Sequence, residues 1–353
     1  MPALQWDEST AYDLFVSLYV LHRPNQFGLR PARAAGVRSR LPAAQREFLE
    51  KVQAFLPVPL HWLYLQSAGA RTAADALSAL ALLPPAERLP ALTHSPEHSP
   101  QIIETLGNIT RRQSWVPAEL EVIRSHYQRR GISFNAQTLE HLAEAWAHPA
   151  EFGEAYLQAL QTYYEVFFAE EEERIRPTLH RALERAQELA GHLTPETLVE
   201  ELSRGVHFAE FSSLDEVILI PSFWTTPLVF YGRVRPNSLL ILFGVRTTEA
   251  CLSPQQMAPE MLVDALKALA DPSRLAILRL MSQSPRTPSE LARLLRLRAP
   301  TVVHHLNILR LAGLVEITLL PGAERRYALR EGALQTALDG LDDYIHSLSL
   351  PEE

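Results

Sequence analysis

The stretch TPSELARLLRLRAPTVVHHLNILRLAGLVEITLLPGAERRYAL, Thr287–Leu329, decides the fold of the C-terminal part of the chain. Thr287 is a capping residue, Pro288 suits a first helical position, and Glu290 stands where a capping box needs it. Leu291, Leu294 and Leu295 are expected to face inward. A short turn leads to Pro300, which opens a second helix with Val302, Leu306 and Leu309 inward. Gly313 is a natural left-handed cap, and LVEITLLPGAERRYAL then reads as strand, Pro-Gly turn and strand. Upstream, Leu262, Ala265, Leu266 and Leu269 form one apolar helical stripe. Asp271 caps a further helix whose apolar positions are Leu275, Ile277, Leu278 and Met281. Two short helices joined by a tight turn and followed by a hairpin predict a winged helix-turn-helix.

That arrangement suits duplex DNA, because a helix of this length fits the major groove and offers its outer face to base edges. With Val302, Leu306 and Leu309 as core, the outward face carries Ala299, Val303, His304, Asn307 and Arg310, with Thr301 at its margin. Asn307 can bond base edges, while Ala299 and Val303 can touch thymine methyls. Arg298 stands at the helix start, near a phosphate position, and Arg325 and Arg326 on the wing can reach the backbone or the minor groove. Charge agrees. The 353 residues hold 33 basic and 41 acidic side chains, net -8, which excludes a globally basic nucleic-acid coat protein. Yet residues 267–330 hold 11 basic and 4 acidic side chains, net +7. Cations so clustered act locally whatever the total charge.

The blocks LKALADPSRLAILRLM, TPSELARLL, APTVVHHLNILRLAGLV and ERRYAL resemble the ArsR family of winged-helix repressors over roughly the last 95 residues. The resemblance implies a homodimer that binds pseudo-palindromic double-stranded DNA in response to a signal. It implies that the last helix, with Leu334, Leu338, Leu341, Ile345 and Leu348, is the dimerising helix. Metal-sensing members carry a cysteine motif in the helix before the recognition helix. Here that helix reads SELARLL, so arsenic or cadmium sensing there is not expected. The family's usual Ser-Gln before the recognition-helix proline is Arg298-Ala299, and the Ser before the paired histidines is Val303. YDLFVSLYVLHRP (Tyr12–Pro24) resembles the opening of a large N-terminal helical domain found in a subset of ArsR-type regulators.

Outward from this module, the polar link LSPQQMAP (Leu252–Pro259) marks a boundary between residues 1–257 and 258–353. The first part reads as helices punctuated by proline: one from Ser9 or Thr10 to about Leu21, one from Pro42 to about Leu56, then Thr72–Leu83, Pro117–Arg130, Asn135–Ala147 and Pro195–Arg204. The longest begins near Phe152 and should break or kink at Arg176-Pro177. Glu216–Ile220, Leu228–Val234 and Leu239–Val245 read as three strands, the last two a hairpin around Arg235–Ser238. The expected fold is mainly α: an N-terminal helical domain with a small antiparallel β element at about 214–246, plus a C-terminal winged helix-turn-helix.

Several side chains invite other chemistry and receive plainer readings. His304 and His305 are adjacent on a helix, about 100° apart, so backbone contact or packing is favoured over a metal pair. Glu170–Glu173 reads as a solvated helix face, and His180 with Glu184 as a surface pair. The aromatic stripe Phe152–Phe168, with Trp115, Trp146 and Trp224, reads as core before effector pocket. Cys251 is the one cysteine, which excludes a disulfide framework, suits a reducing compartment and reads as an inert thiol. There is no Gly-rich phosphate loop, HExxH or GxSxG, so neither catalysis, cofactor nor metal is expected. No signal peptide or membrane span is read, and a cytoplasmic location is expected. The leading function is a dimeric, sequence-specific DNA-binding regulator, of repressor type, with a small-molecule effector as a further partner of the N-terminal domain. The alternatives are an enzyme or ligand-binding protein in that domain with the winged helix appended, and a scaffold whose winged helix binds protein.

Overall fold

The computed structural model describes residues 1–24, 27, 29–66, 71–225, 229–245, 260–320 and 325–346. They form two compact units, Met1–His192 with Ser212–Val245, and Leu193–Phe211 with the chain from Arg246 onward. The expected link at 252–259, Cys251, the Pro-Gly turn of the wing and Leu348 lie outside the described residues.

The first unit opens with strand β1 (Ala3–Trp6) and helices α1 (Thr10–Leu21), α2 (Pro31–Arg38), α3 (Ala43–Gln53), α4 (Leu60–Gln66), α5 (Ala73–Leu82) and α6 (Pro85–Thr93). It continues with α7 (Pro100–Arg112), α8 (Pro117–Arg129), α9 (Ala136–Ala147), α10 (Pro149–Tyr163) and α11 (Ala169–Ala190). The caps are local chemistry. Ser9, Thr72, Ser99 and Asn135 each accept a backbone N–H of the first turn. Helix α1 is buried at every position but Tyr19, as an all-round apolar helix must be.

The long helical stretch departs from expectation twice. A π-helical turn, Tyr164–Phe168, joins α10 to α11, and α11 runs through Pro177 rather than breaking there. Pro177 is exposed, so its ring faces solvent. Beyond the π turn, Glu171 and Glu172 are buried, at 7% and 2% exposure, rather than solvated. Glu172 accepts from the Thr10 hydroxyl, from Ala73 N–H at 2.9 Å and from Tyr164 OH at 3.1 Å. One carboxylate therefore ties the starts of α1 and α5 to α11, and its hydrogen bonds offset the cost of burying it. The aromatic stripe packs as core only in part: Phe152, Tyr156, Tyr163, Phe168 and Trp224 are buried, while Tyr164, Phe167, Trp115 and Trp146 are half-buried.

Three more strands complete this unit after α12 (Pro195–Ser203) and β2 (Val206–Phe208), which belong to the second. They are β3 (Glu216–Ser222), β4 (Val229–Arg235) and β5 (Ser238–Gly244). The sheet is mixed rather than antiparallel, in the order β1-β3-β5-β4. β1 pairs parallel with β3 (Ala3 opposite Glu216) and β3 parallel with β5, and only β4 and β5 form an antiparallel hairpin. The reason lies in the side chains. VILI and LLILF are continuous apolar runs that need cover on both faces, so β3 and β5 take the interior, where they are almost wholly buried. VFYGRVR is half-exposed and takes an edge.

Two histidines of this unit are held neutral. Burial pulls His22 from its ordinary 6.5 to about 4, against a bond from its Nδ1 to the Leu18 carbonyl. Burial, then the Arg130 cation and the neighbouring His126 and His94, pull His98 to about 4. The unfolded chain takes up protons near pH 6.5 while the folded chain does not. Stability from these groups is therefore full above pH 6.5, drains as pH falls toward 4, and changes no further below it. Urea midpoints measured between pH 7.5 and 4.5 should fall monotonically, and His98→Gln should flatten the slope.

The second unit joins α12 and β2 to α13 (Glu260–Leu269), α14 (Pro272–Met281), α15 (Pro288–Leu295), α16 (Ala299–Leu311), β6 (Val315–Leu319), β7 (Arg325–Leu329) and α17 (Ala333–His346). Its sheet runs β2-β6-β7, β2 parallel to β6 and β6 antiparallel to β7. The expected division at 257/258 placed α12 and β2 with the N-terminal domain. They lie instead in the unit that carries the wing, because β6 offers β2 a pairing edge.

Candidate nucleic-acid interface

The local chemistry of the α14–α16 region follows the sequence closely. Arg274 N–H donates to Asp271 Oδ1 at 3.0 Å, which caps α14. Thr287 and Glu290 form the reciprocal capping box: Glu290 N–H donates to Thr287 Oγ1 at 3.2 Å and Thr287 N–H to Glu290 Oε2 at 2.8 Å. These N–H bonds hold both the Asp271 and Glu290 carboxyls below the usual carboxylate range. Arg296, in the left-handed region at φ 55°, ends α15, and residues 296–298 alone separate the two helices. At the far end Gly313 adopts φ 71°, and Leu314 N–H returns to the Leu309 carbonyl at 3.0 Å.

α16 buries Val302, Leu306 and Leu309, each with no exposed surface. Opposite them, Ala299, Thr301, Val303 and His304 are exposed, with Arg298 at the N-cap also exposed. Asn307 and Arg310 are half-buried, so the outward face is fullest in the first two turns. The N-cap Arg298 makes no side-chain capping bond. Pro300 has no N–H and the Thr301 N–H donates to the Arg298 carbonyl at 3.0 Å, so the start of α16 offers mainly the positive end of the helix dipole. A helix N-terminus of this kind favours an anion. His305 turns inward. Its Nδ1 is buried with no hydrogen-bond partner, and burial lowers its pKa despite the nearby Asp271 carboxylate. The two adjacent rings lie 6.0 Å apart at 56°, which does not suit them to one ion.

The hairpin β6–β7 pairs Ile317 with Tyr327 and Leu319 with Arg325. A bridge from Arg286 to Tyr327, with both N–H···O bonds at 2.8 Å, locks β7 to the segment between α14 and α15. Tyr327 is buried, while Arg325 and Arg326 are exposed on the wing. These observations place a capped helix pair, a half-exposed third helix and a basic hairpin in one compact unit.

Residues 271–316 match the family model described as bacterial regulatory protein, arsR family. This segment is similar to the helix-turn-helix of that family. The match runs from the Asp271 cap to the second residue of β6. No curated protein matches the chain. This module brings the sequence-predicted α16 residues Ala299, Thr301, Val303 and His304 onto one exposed surface, and leaves Asn307 and Arg310 at its half-covered margin.

Two leucines depart from expectation. Leu294 and Leu275 are 48% and 49% exposed rather than inward. The eight-residue α15 buries only Leu291 and Ala292, so Leu294 sits beyond the edge of the apolar stripe. On α17, Ala337 is buried, Leu334 and Leu341 are half-buried, and Leu338 and Ile345 are 52% and 58% exposed. Part of the expected apolar stripe is thus covered by its own chain, where Gly340 approaches Leu262 of α13. His180 pairs at the surface with Glu184 and also with Glu8, whose carboxylate raises its pKa. Among the described residues, no helix is long and apolar enough to cross a membrane.

Proposed function

We propose that this chain is a sequence-specific transcriptional regulator that binds double-stranded DNA as a homodimer and represses by occupying its operator. The observation that carries the reading is the composition of α16. It buries Val302, Leu306 and Leu309 and exposes Ala299, Thr301, Val303 and His304 within a segment of net +7. The positive end of the α16 dipole and Arg298 at its start meet phosphate, its first two turns meet base edges, and Arg325 and Arg326 follow the adjacent backbone. The dimer would use the exposed Leu338 and Ile345 of α17, together with Leu334 and Leu341, because apolar side chains so placed favour a partner. A small-molecule effector held by the N-terminal unit would act by binding one dimer geometry better than another.

Fluorescence anisotropy with duplexes from the chain's own promoter region, across a salt series, tests this. Arg325→Ala should raise Kd on all duplexes by a similar factor and lower the log–log salt slope by about 1. Asn307→Ala should cost about 1–3 kcal/mol on the preferred sequence and much less on unrelated ones. Equal losses on every sequence for Asn307→Ala would remove it from base reading. Failure to bind any such duplex in dilute buffer would remove the proposal itself.

A further inference from the structure

Three side chains from separate elements of the second unit converge beside the wing. α12 ends in a left-handed turn, with Arg204 and Gly205 at φ 56° and 85° and the Gly205 N–H bonded to the Glu200 carbonyl at 2.9 Å. This reversal lays β2 alongside β6, with Val206 opposite Ile317 and His207 opposite Thr318. Alternate residues of a strand share a face, so Glu316 stands on the same face as His207. The approach favours glycine, since Gly205 sits at φ 85° and a Cβ there would lie 3.1 Å from the Glu316 Cβ. His207 Nε2 ends 3.6 Å from Glu200 Oε1 and 3.5 Å from Glu316 Oε2. One donor atom from each of the three residues lies within 4.8 Å of the others.

Those separations are long for N–H···O bonds, and His207 Nε2 is buried without a hydrogen-bond partner. They match ligand atoms arranged around a common centre. Two ligands each about 2.0–2.2 Å from a tetrahedral ion stand about 3.4 Å apart. We infer that Glu200, His207 and Glu316 form a site for a divalent metal ion, zinc foremost, that ties α12 and β2 to the first strand of the wing. A neutral imidazole and two carboxylates neutralise a divalent cation, and imidazole favours zinc over magnesium or calcium. The ligands are about a quarter to a third exposed, so the ion enters from solvent and a water completes its shell. Arg330, near Gly205, is engaged by Glu201 at 3.6 Å, which tempers its repulsion of a cation. The site uses no residue of α15 and is independent of whether α16 reads DNA.

The test is calorimetric titration of zinc into the full-length chain after chelation, at neutral pH. One site per chain is expected. It should weaken about 10-fold or more in His207→Ala and in the isosteric double variant Glu200→Gln, Glu316→Gln, and be unchanged in His180→Ala. Zinc should also raise the unfolding temperature of wild type by mass action and not that of the variants. Absence of zinc binding, or binding of wild-type strength in both variants, overturns the inference.

Discussion

Val303→Glu should reduce affinity for the preferred duplex at least ~100-fold, about 2.8 kcal/mol at 1.4 kcal/mol per decade, without unfolding the protein. Val303 lies on the exposed side of α16, 38% exposed, one residue beyond the buried Val302. If this face enters the major groove, a carboxylate there is brought against the polyanion and loses its water. Like charges so placed across an interface cost several kcal/mol. Nothing comparable opposes the change in the free protein. Glu is a better helix former than Val, and a substitution at this exposure usually moves stability by less than about 0.5 kcal/mol. Anisotropy titration at fixed salt, with a thermal melt of the same sample, separates the two effects. Val303→Thr, similar in shape and neutral, should remain within a few-fold of wild type. A Val303→Glu chain that binds its duplex like wild type would mean that α16 does not approach DNA on this face, whatever else the protein does.

The contrast between the two units shows which features a sequence carries openly. The α14–α16 module was legible because its determinants are local. Asp271, Thr287 and Glu290 act within three residues of themselves, and Gly313 within its own turn. The burial of Val302, Leu306 and Leu309 follows from spacing along one helix. The mixed sheet was not legible, because β1 is four residues long and its partner β3 comes only after every helix of the unit. No periodicity within ALQW indicates a parallel neighbour so far along the chain. The same limit hid β2, a three-residue strand whose place is set by the free edge of β6. With it went the Glu200–His207–Glu316 cluster, whose members have no motif spacing. Of the proposed DNA contacts, Asn307 and Arg310 came out more covered than the helical wheel suggested. The wheel records direction but not how far neighbouring elements overlap the later turns of α16.

Asp13→Ala should cost about 3–5 kcal/mol of stability, a shift of roughly 10 °C in the unfolding of the first unit. Within TAYDLFVSLYVL, Asp13 is the lone charge of a helix buried nearly all round, and it has no exposed surface itself. Nothing at the level of hydropathy explains such a residue, but the end of β3 does. The Ser222 hydroxyl donates to Asp13 Oδ1 at 2.8 Å, Trp224 N–H to the same oxygen at 2.8 Å, and Phe223 N–H to Oδ2 at 3.2 Å. The chain leaves β3 through these residues, and Trp224, 1% exposed and edge-on to Phe167 at 5.8 Å, anchors the exit in the core. Without the carboxylate, the buried Trp224 N–H and the part-buried Phe223 N–H both lose their bond to Asp13. Each unsatisfied group costs about 1–3 kcal/mol. Ser222 loses less, because its hydroxyl also meets Thr225 Oγ1 at 2.7 Å. Asp13→Asn discriminates between shape and charge. It keeps the volume but turns an N–H₂ toward a backbone donor, so about 1–3 kcal/mol should be lost even though nothing is left unfilled. Urea unfolding followed by tryptophan fluorescence measures both. If Asp13→Ala unfolds at the wild-type midpoint, the bonds to Ser222, Phe223 and Trp224 do not stabilise the unit. The exit from β3 would then be held by the packing of Trp224 alone.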